Sequence, residues 1–130
     1  MKSLIIEDDY ITSMVLQEIL LTYGSADTAE NGFLGVKAVE ASIISEESYD
    51  VIFLDIMMPE MDGMEALQKI REVETNHNIE GKDRIKIIMC TALDDYETVK
   101  KSFSNQCDGY LVKPFTTEKV EETLKNLFLI

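Results

Sequence analysis

No stretch of this chain is long and apolar enough to span a bilayer. Its apolar runs end after about four or five residues, where a transmembrane helix takes ~20. No secretory leader pattern opens the chain, so export is not expected. Positive charge is scarce: 12 Lys+Arg stand against 25 Asp+Glu, a net charge of −13. That disfavours nucleic acid and anionic membrane, which bind proteins by exchanging counterions for positive side chains. No helix-turn-helix or basic region offsets this. Cys90 and Cys107 form no Cys-x-x-Cys pair, so free thiols and a cytoplasmic setting are expected. There is no internal repeat, low-complexity tract or linker. The 130 residues fit one domain that buries roughly two thirds of its unfolded surface.

What is present is a regular alternation. Apolar runs of strand length recur at 3–6, 51–54, 85–90 and 109–112, with a weaker, polar candidate at 25–29. Helical periodicity fills 10–23 and 32–44 between them. Three later helices carry start signals: Asp62 with Glu65, Asp94 with Glu97, and Thr116 ahead of Val120, Leu124 and Leu127-Phe128. Residues 74–84 read as a polar connection. Five strands alternating with five helices predict an α/β fold, a doubly wound parallel sheet covered on both faces.

Four polar groups stand directly behind these runs: Glu7-Asp8-Asp9, Asp55, Thr91 and Lys113-Pro114. In a parallel sheet they emerge at one edge, where open α/β sheets bind ligands. Carboxylates gathered there repel one another, and a hard divalent cation relieves the repulsion. Mg²⁺ suits such donors, with Mn²⁺ as the alternative. An Asp carboxylate is also a covalent nucleophile for phosphoryl transfer. Lys113 supplies a compact positive charge and Thr91 a hydroxyl donor.

Taken in order, Leu4-Ile5-Ile6-Glu7-Asp8-Asp9, Phe53-Leu54-Asp55-Ile56-Met57-Met58-Pro59-Glu60-Met61-Asp62-Gly63, Ile88-Met89-Cys90-Thr91-Ala92 and Gly109-Tyr110-Leu111-Val112-Lys113-Pro114-Phe115 resemble the receiver domain of two-component response regulators. The resemblance covers essentially the whole chain and implies the flavodoxin-like (βα)5 fold with strand order 2-1-3-4-5. It implies Asp55 as phosphoacceptor, and Asp8, Asp55 and the Met57 backbone carbonyl as metal ligands, with Glu7 assisting through water. Thr91 and Lys113 would contact the phosphoryl group, and Tyr110 would be the aromatic whose rotamer follows Thr91. The Lys113–Pro114 bond is expected to be cis. Asp9 receives no metal role.

The function implied is a stand-alone receiver, residues 1–130 with no appended effector domain. It would take a phosphoryl group from a histidine kinase or phosphotransfer protein and switch binding of an output protein through the fourth helix, fifth strand and fifth helix. It is not expected to be a turnover enzyme. Alternatives are a phosphorelay intermediate, a phosphate sink, a phosphorylation-independent adaptor, or a phosphatase of the haloacid dehalogenase type. That last class carries a second Asp two residues past the nucleophile, where this chain has Met57. Two departures from the family stand out. The segment between Asp55 and Thr91 is several residues longer, with the excess in 74–84. Met57 and Leu93, each two residues past a site residue, are apolar beside the expected path of the hydrolytic water and should lengthen the phosphorylated lifetime.

Overall fold

In three of the strand runs, alternate side chains part to opposite faces. Leu4 and Ile6, Ile52 and Leu54, and Ile87 and Met89 enter one buried cluster, with Val39, Ala66, Leu67, Ile70 and Val99 from helices. Their neighbours Ile5, Val51 and Phe53, and Ile88 and Cys90, enter a second, with Leu16, Leu20, Val120 and Leu124. A period of two that is apolar on both sides describes a sheet buried on both faces.

The computed structural model describes residues 1–103 and 106–130, apart from the side chains of Leu93, Ser102 and Phe103. The elements are β1 (Lys2–Ile6), α1 (Tyr10–Leu20), β2 (Ser25–Ala29), α2 (Gly32–Ile44), β3 (Val51–Asp55), α3 (Gly63–Asn76), β4 (Lys86–Ala92), α4 (Tyr96–Phe103), β5 (Gly109–Lys113) and α5 (Thr117–Asn126). Short 3-10 turns occupy Gly81–Asp83 and Leu93–Asp95. The five strands are parallel in the order β2-β1-β3-β4-β5. The first buried cluster takes its helical residues from α2, α3 and α4, and the second from α1 and α5. Among the described residues, no helix is long and apolar enough to cross a membrane.

The polar segment 25–29 is the edge strand β2, paired with β1 from Lys2↔Ser25 to Ile6↔Ala29. Ala26 and Ala29 give it enough apolar surface for one buried side. The capping signals hold at two helices: the Asp62 carboxylate accepts from the Glu65 N–H at 3.0 Å and the Thr116 hydroxyl from the Lys119 N–H at 3.1 Å. At Asp94 the chain instead forms the 3-10 turn Leu93–Asp95 that leads into α4.

Three helix ends differ from the sequence reading. Helix α1 stops at Leu20 rather than running to residue 23, because the chain must turn through Gly24 into β2. Gly24 has φ +150°, and a Cβ there would stand 1.8 Å from the Met1 carbonyl oxygen. Helix α5 ends at Asn126, and Phe128 lies beyond it, exposed and at φ +58°. Residues 74–76, read as part of a polar connection, are instead the last turn of α3. They remain helical because the buried Glu74 carboxylate finds partners: Arg71 Nη1 at 2.7 Å and the Ile85 N–H at 2.7 Å.

Candidate functional site

Strand register determines what meets at the carboxyl edge of the sheet. Ile6 lies opposite Leu54, so Glu7 follows β1 beside the end of β3. Asp55 lies opposite Cys90, and Ala92 opposite Lys113. Four strands thus deliver Glu7, Asp55, Thr91 and Lys113 to one edge. Glu7, Asp55 and Thr91 are buried there, while Asp8 is exposed.

Short backbone links hold the β3–α3 loop against this edge. The Ile56 N–H donates to the Cys90 carbonyl at 3.2 Å, and the Gly63 N–H closes the loop onto the Ile56 carbonyl at 2.9 Å. A Cβ on Gly63 would come within 2.7 Å of the Asp55 carbonyl oxygen, so only glycine allows the close approach. The Met57 N–H lies 3.4 Å from Asp55 Oδ1. Met58 and Met61 turn into the core, whereas the Met57 side chain projects outward.

The side-chain geometry is that of a charge cluster. Lys113 Nζ stands 2.8 Å from Glu7 Oε1 and 2.9 Å from Asp55 Oδ1. One carboxylate oxygen from each of Glu7, Asp8 and Asp55 falls within a mutual 4.8 Å. Burial and the neighbouring Asp55 carboxylate push Glu7 up to about 7, while Lys113 opposes the rise. Burial alone would lower Lys113, but its bonds to Glu7 and Asp55 outweigh that and leave it raised.

One ammonium does not neutralise three carboxylates. Two oxygens on opposite sides of a Mg²⁺ ion, each ~2.1 Å from it, stand roughly 4.2 Å apart. The observed 4.8 Å spread therefore fits a hard divalent cation with little closing of the site.

The other predicted residues are placed as follows. Thr91 donates its hydroxyl to the Ala92 carbonyl at 3.2 Å and, among the described residues, bonds none of the charged groups. Tyr110 is half-buried on β5; its hydroxyl donates to the Lys100 carbonyl of α4 at 3.1 Å, and its ring meets Tyr96 edge-on at 6.1 Å. The Lys113–Pro114 peptide is cis. Asp9 caps α1, accepting from the Thr12 N–H at 3.0 Å. The Leu93 side chain lies outside the described residues. His77 is exposed, 3.8 Å from Glu40.

A second charged network escaped the sequence reading. Arg71 donates to Glu74 at 2.7 Å, to the Ile85 carbonyl at 2.9 Å, to the Gln106 carbonyl at 2.9 Å and to Asp108 at 3.1 Å. Asp108 in turn accepts from the Ile87 N–H at 2.9 Å. The i,i+3 spacing of Arg71 and Glu74 was visible in the sequence, but the reach to Asp108 has no local signal.

Comparison with known proteins places this geometry. The family model for the response regulator receiver domain matches residues 3–125. The chemotaxis protein CheY of Halobacterium salinarum is 34% identical over 125 residues, covering 95% of this chain and 93% of that protein. The hybrid signal transduction histidine kinase L of Dictyostelium discoideum is also 34% identical, but the match spans only 7% of its length. Among solved structures, the CheX–CheY–BeF3–Mg complex from Borrelia burgdorferi superposes with a TM-score of 0.80 at 28% identity, over 99% of this chain and 90% of that one.

Proposed function

The chain belongs to the response regulator receiver domain family, and from that membership we propose that Asp55 is its phosphoacceptor and that phosphorylation there switches partner binding. One observation carries this reading: Glu7, Asp8 and Asp55 converge within 4.8 Å while Lys113 bridges two of them. In the transfer an Asp55 oxygen bonds to phosphorus as the donor's P–N bond breaks, and the departing imidazole takes up a proton. Mg²⁺, held by Asp8, Asp55 and the Met57 carbonyl with Glu7 assisting through water, would supply charge neutralisation; Mn²⁺ suits the same donors. Lys113 trades its hold on the Asp55 oxygen for a phosphoryl oxygen, and Thr91 turns its hydroxyl from the Ala92 carbonyl to another.

Tyr110 links this event to a surface. Its hydroxyl is tied to α4, and its ring lines a groove of about 700 Å³ with Tyr96, Lys119 and Thr123. Reorientation of Tyr110 changes that groove, so the output partner is assigned to the α4–β5–α5 face. Shifting such a two-state equilibrium from about 1:99 to 99:1 takes roughly 5.5 kcal/mol. Two or three charge-assisted hydrogen bonds at ~1.5–3 kcal/mol each suffice.

A histidine kinase or phosphotransfer protein is the partner on the donor side. We assign its docking to the apolar groove of Ile11, Val15 and Phe115 beside Lys113, about 450 Å³ in volume, because a donor must reach Asp55 past that lysine. The charge of −13 supports a role without nucleic acid or membrane, and two free cysteines support a reducing, cytoplasmic setting. Residues 1–130 are read as one receiver domain that acts through a partner.

Incubation with labelled acetyl phosphate and Mg²⁺ tests the reading. The native chain should take one phosphoryl group and Asp55→Asn none. Full labelling of Asp55→Asn would overturn the assignment.

A further inference from the structure

Met57 is the most exposed methionine among the described residues, at 74%, against 41% for Met14 and 40% for Met64. Its loop neighbours Met58 and Met61 are buried. Its backbone N–H is the group 3.4 Å from Asp55 Oδ1. The most exposed thioether among the described residues therefore belongs to a residue whose backbone N–H faces the phosphoacceptor carboxylate. Thioether oxidation follows exposure, and it turns a flexible apolar side chain into a polar one.

We propose that Met57 is a selective oxidation site through which hydrogen peroxide shortens the life of the phosphoryl group on Asp55. One peroxide oxygen is transferred to Sδ as the O–O bond breaks; the sulfur is oxidised to the sulfoxide and the peroxide reduced to water. The thioether is a weak acceptor with little hold on a water. The sulfoxide oxygen is a strong acceptor on a three-bond tether and holds a water within reach of the phosphorus. The lifetime half of this inference rests on the phosphoacceptor reading; the oxidation half does not.

Two measurements on the full chain decide it. In the first, limiting hydrogen peroxide is followed by peptide mass mapping. The Met57 thioether should gain oxygen ahead of Met14 and Met64, with the buried Met58, Met61 and Met89 last; oxidation in no order, or Met14 or Met64 first, overturns the site. In the second, singly oxidised protein is phosphorylated with acetyl phosphate and Mg²⁺, and the decay is timed. Loss should quicken about tenfold, the rate equivalent of one hydrogen bond of ~1.4 kcal/mol. Methionine sulfoxide reductase should restore the slow decay, and Met57→Leu should keep its own untreated rate after the same peroxide exposure. An unchanged decay in oxidised protein, or an equal quickening in Met57→Leu, overturns the lifetime claim. A native chain that takes no phosphoryl group overturns the functional reading and the lifetime claim together, while the oxidation map still judges the site.

Discussion

Arg71→Met should destabilise the fold severely although the residue lies far from Asp55 in the architecture. The Arg71 guanidinium is the partner of Glu74, whose carboxylate is fully buried, and of Asp108, and it caps the Ile85 and Gln106 carbonyls. Methionine fills similar volume but donates nothing. Among the described residues it leaves Glu74 with the Ile85 N–H alone and Asp108 with the Ile87 N–H and a distant Lys86 at 3.9 Å. Stranding one member of a buried ion pair costs about 3–5 kcal/mol. A domain of this size holds only roughly 5–15 kcal/mol in total. With a urea dependence of about 2 kcal/mol per molar, the unfolding midpoint should fall by roughly 2 M. A second variant isolates the cause. Arg71→Met combined with Glu74→Leu removes the stranded carboxylate and should recover part of the loss, giving a coupling energy of the sign a double-mutant cycle assigns to a direct pair. A midpoint shift under about 0.5 M for Arg71→Met would refute the reasoning, since the network would then be solvated.

Two further outcomes follow from buried groups. Without Mg²⁺, stability should fall as pH rises from about 4.5 to about 7, because over that window folded Glu7 holds a proton that unfolded Glu7, at its ordinary 4.5, has lost. Urea melts at several pH values should show this slope, and Glu7→Gln should lack it; a slope shared equally by the variant would rule out Glu7 as its source. The same proton opposes a cation, so Mg²⁺ affinity by calorimetry should weaken between pH 8 and pH 6. Ser3→Ala should raise stability by about 1 kcal/mol, because the Ser3 hydroxyl is buried without a hydrogen-bond partner among the described residues. A lower melting temperature for Ser3→Ala would contradict that account.

Much of this molecule is written locally. Leu4-Ile5-Ile6 and Val51-Ile52-Phe53-Leu54 carry the two-faced pattern that only a covered parallel sheet satisfies, and Asp62 and Thr116 mark their helix starts through bonds three residues long. Ser25–Ala29, polar enough to read as either an edge strand or a loop, is settled as a strand by its pairing with β1, since one buried side needs only small residues. The helix ends were less legible. Leu20, Asn76 and Asn126 end their helices where backbone turns and distant partners permit, not where periodicity fades.

The residue types of the site and their places at the end of each strand belong to the sequence, because chain order and a parallel sheet alone bring Glu7, Asp55, Thr91 and Lys113 to one edge. Tertiary structure decided who touches whom. Lys113 holds both Glu7 and Asp55, Thr91 turns to its own strand, and Arg71 reaches Asp108 across 37 positions. Those pairings depend on strand register and helix packing, which set distances of a few ångströms between residues that no local pattern connects.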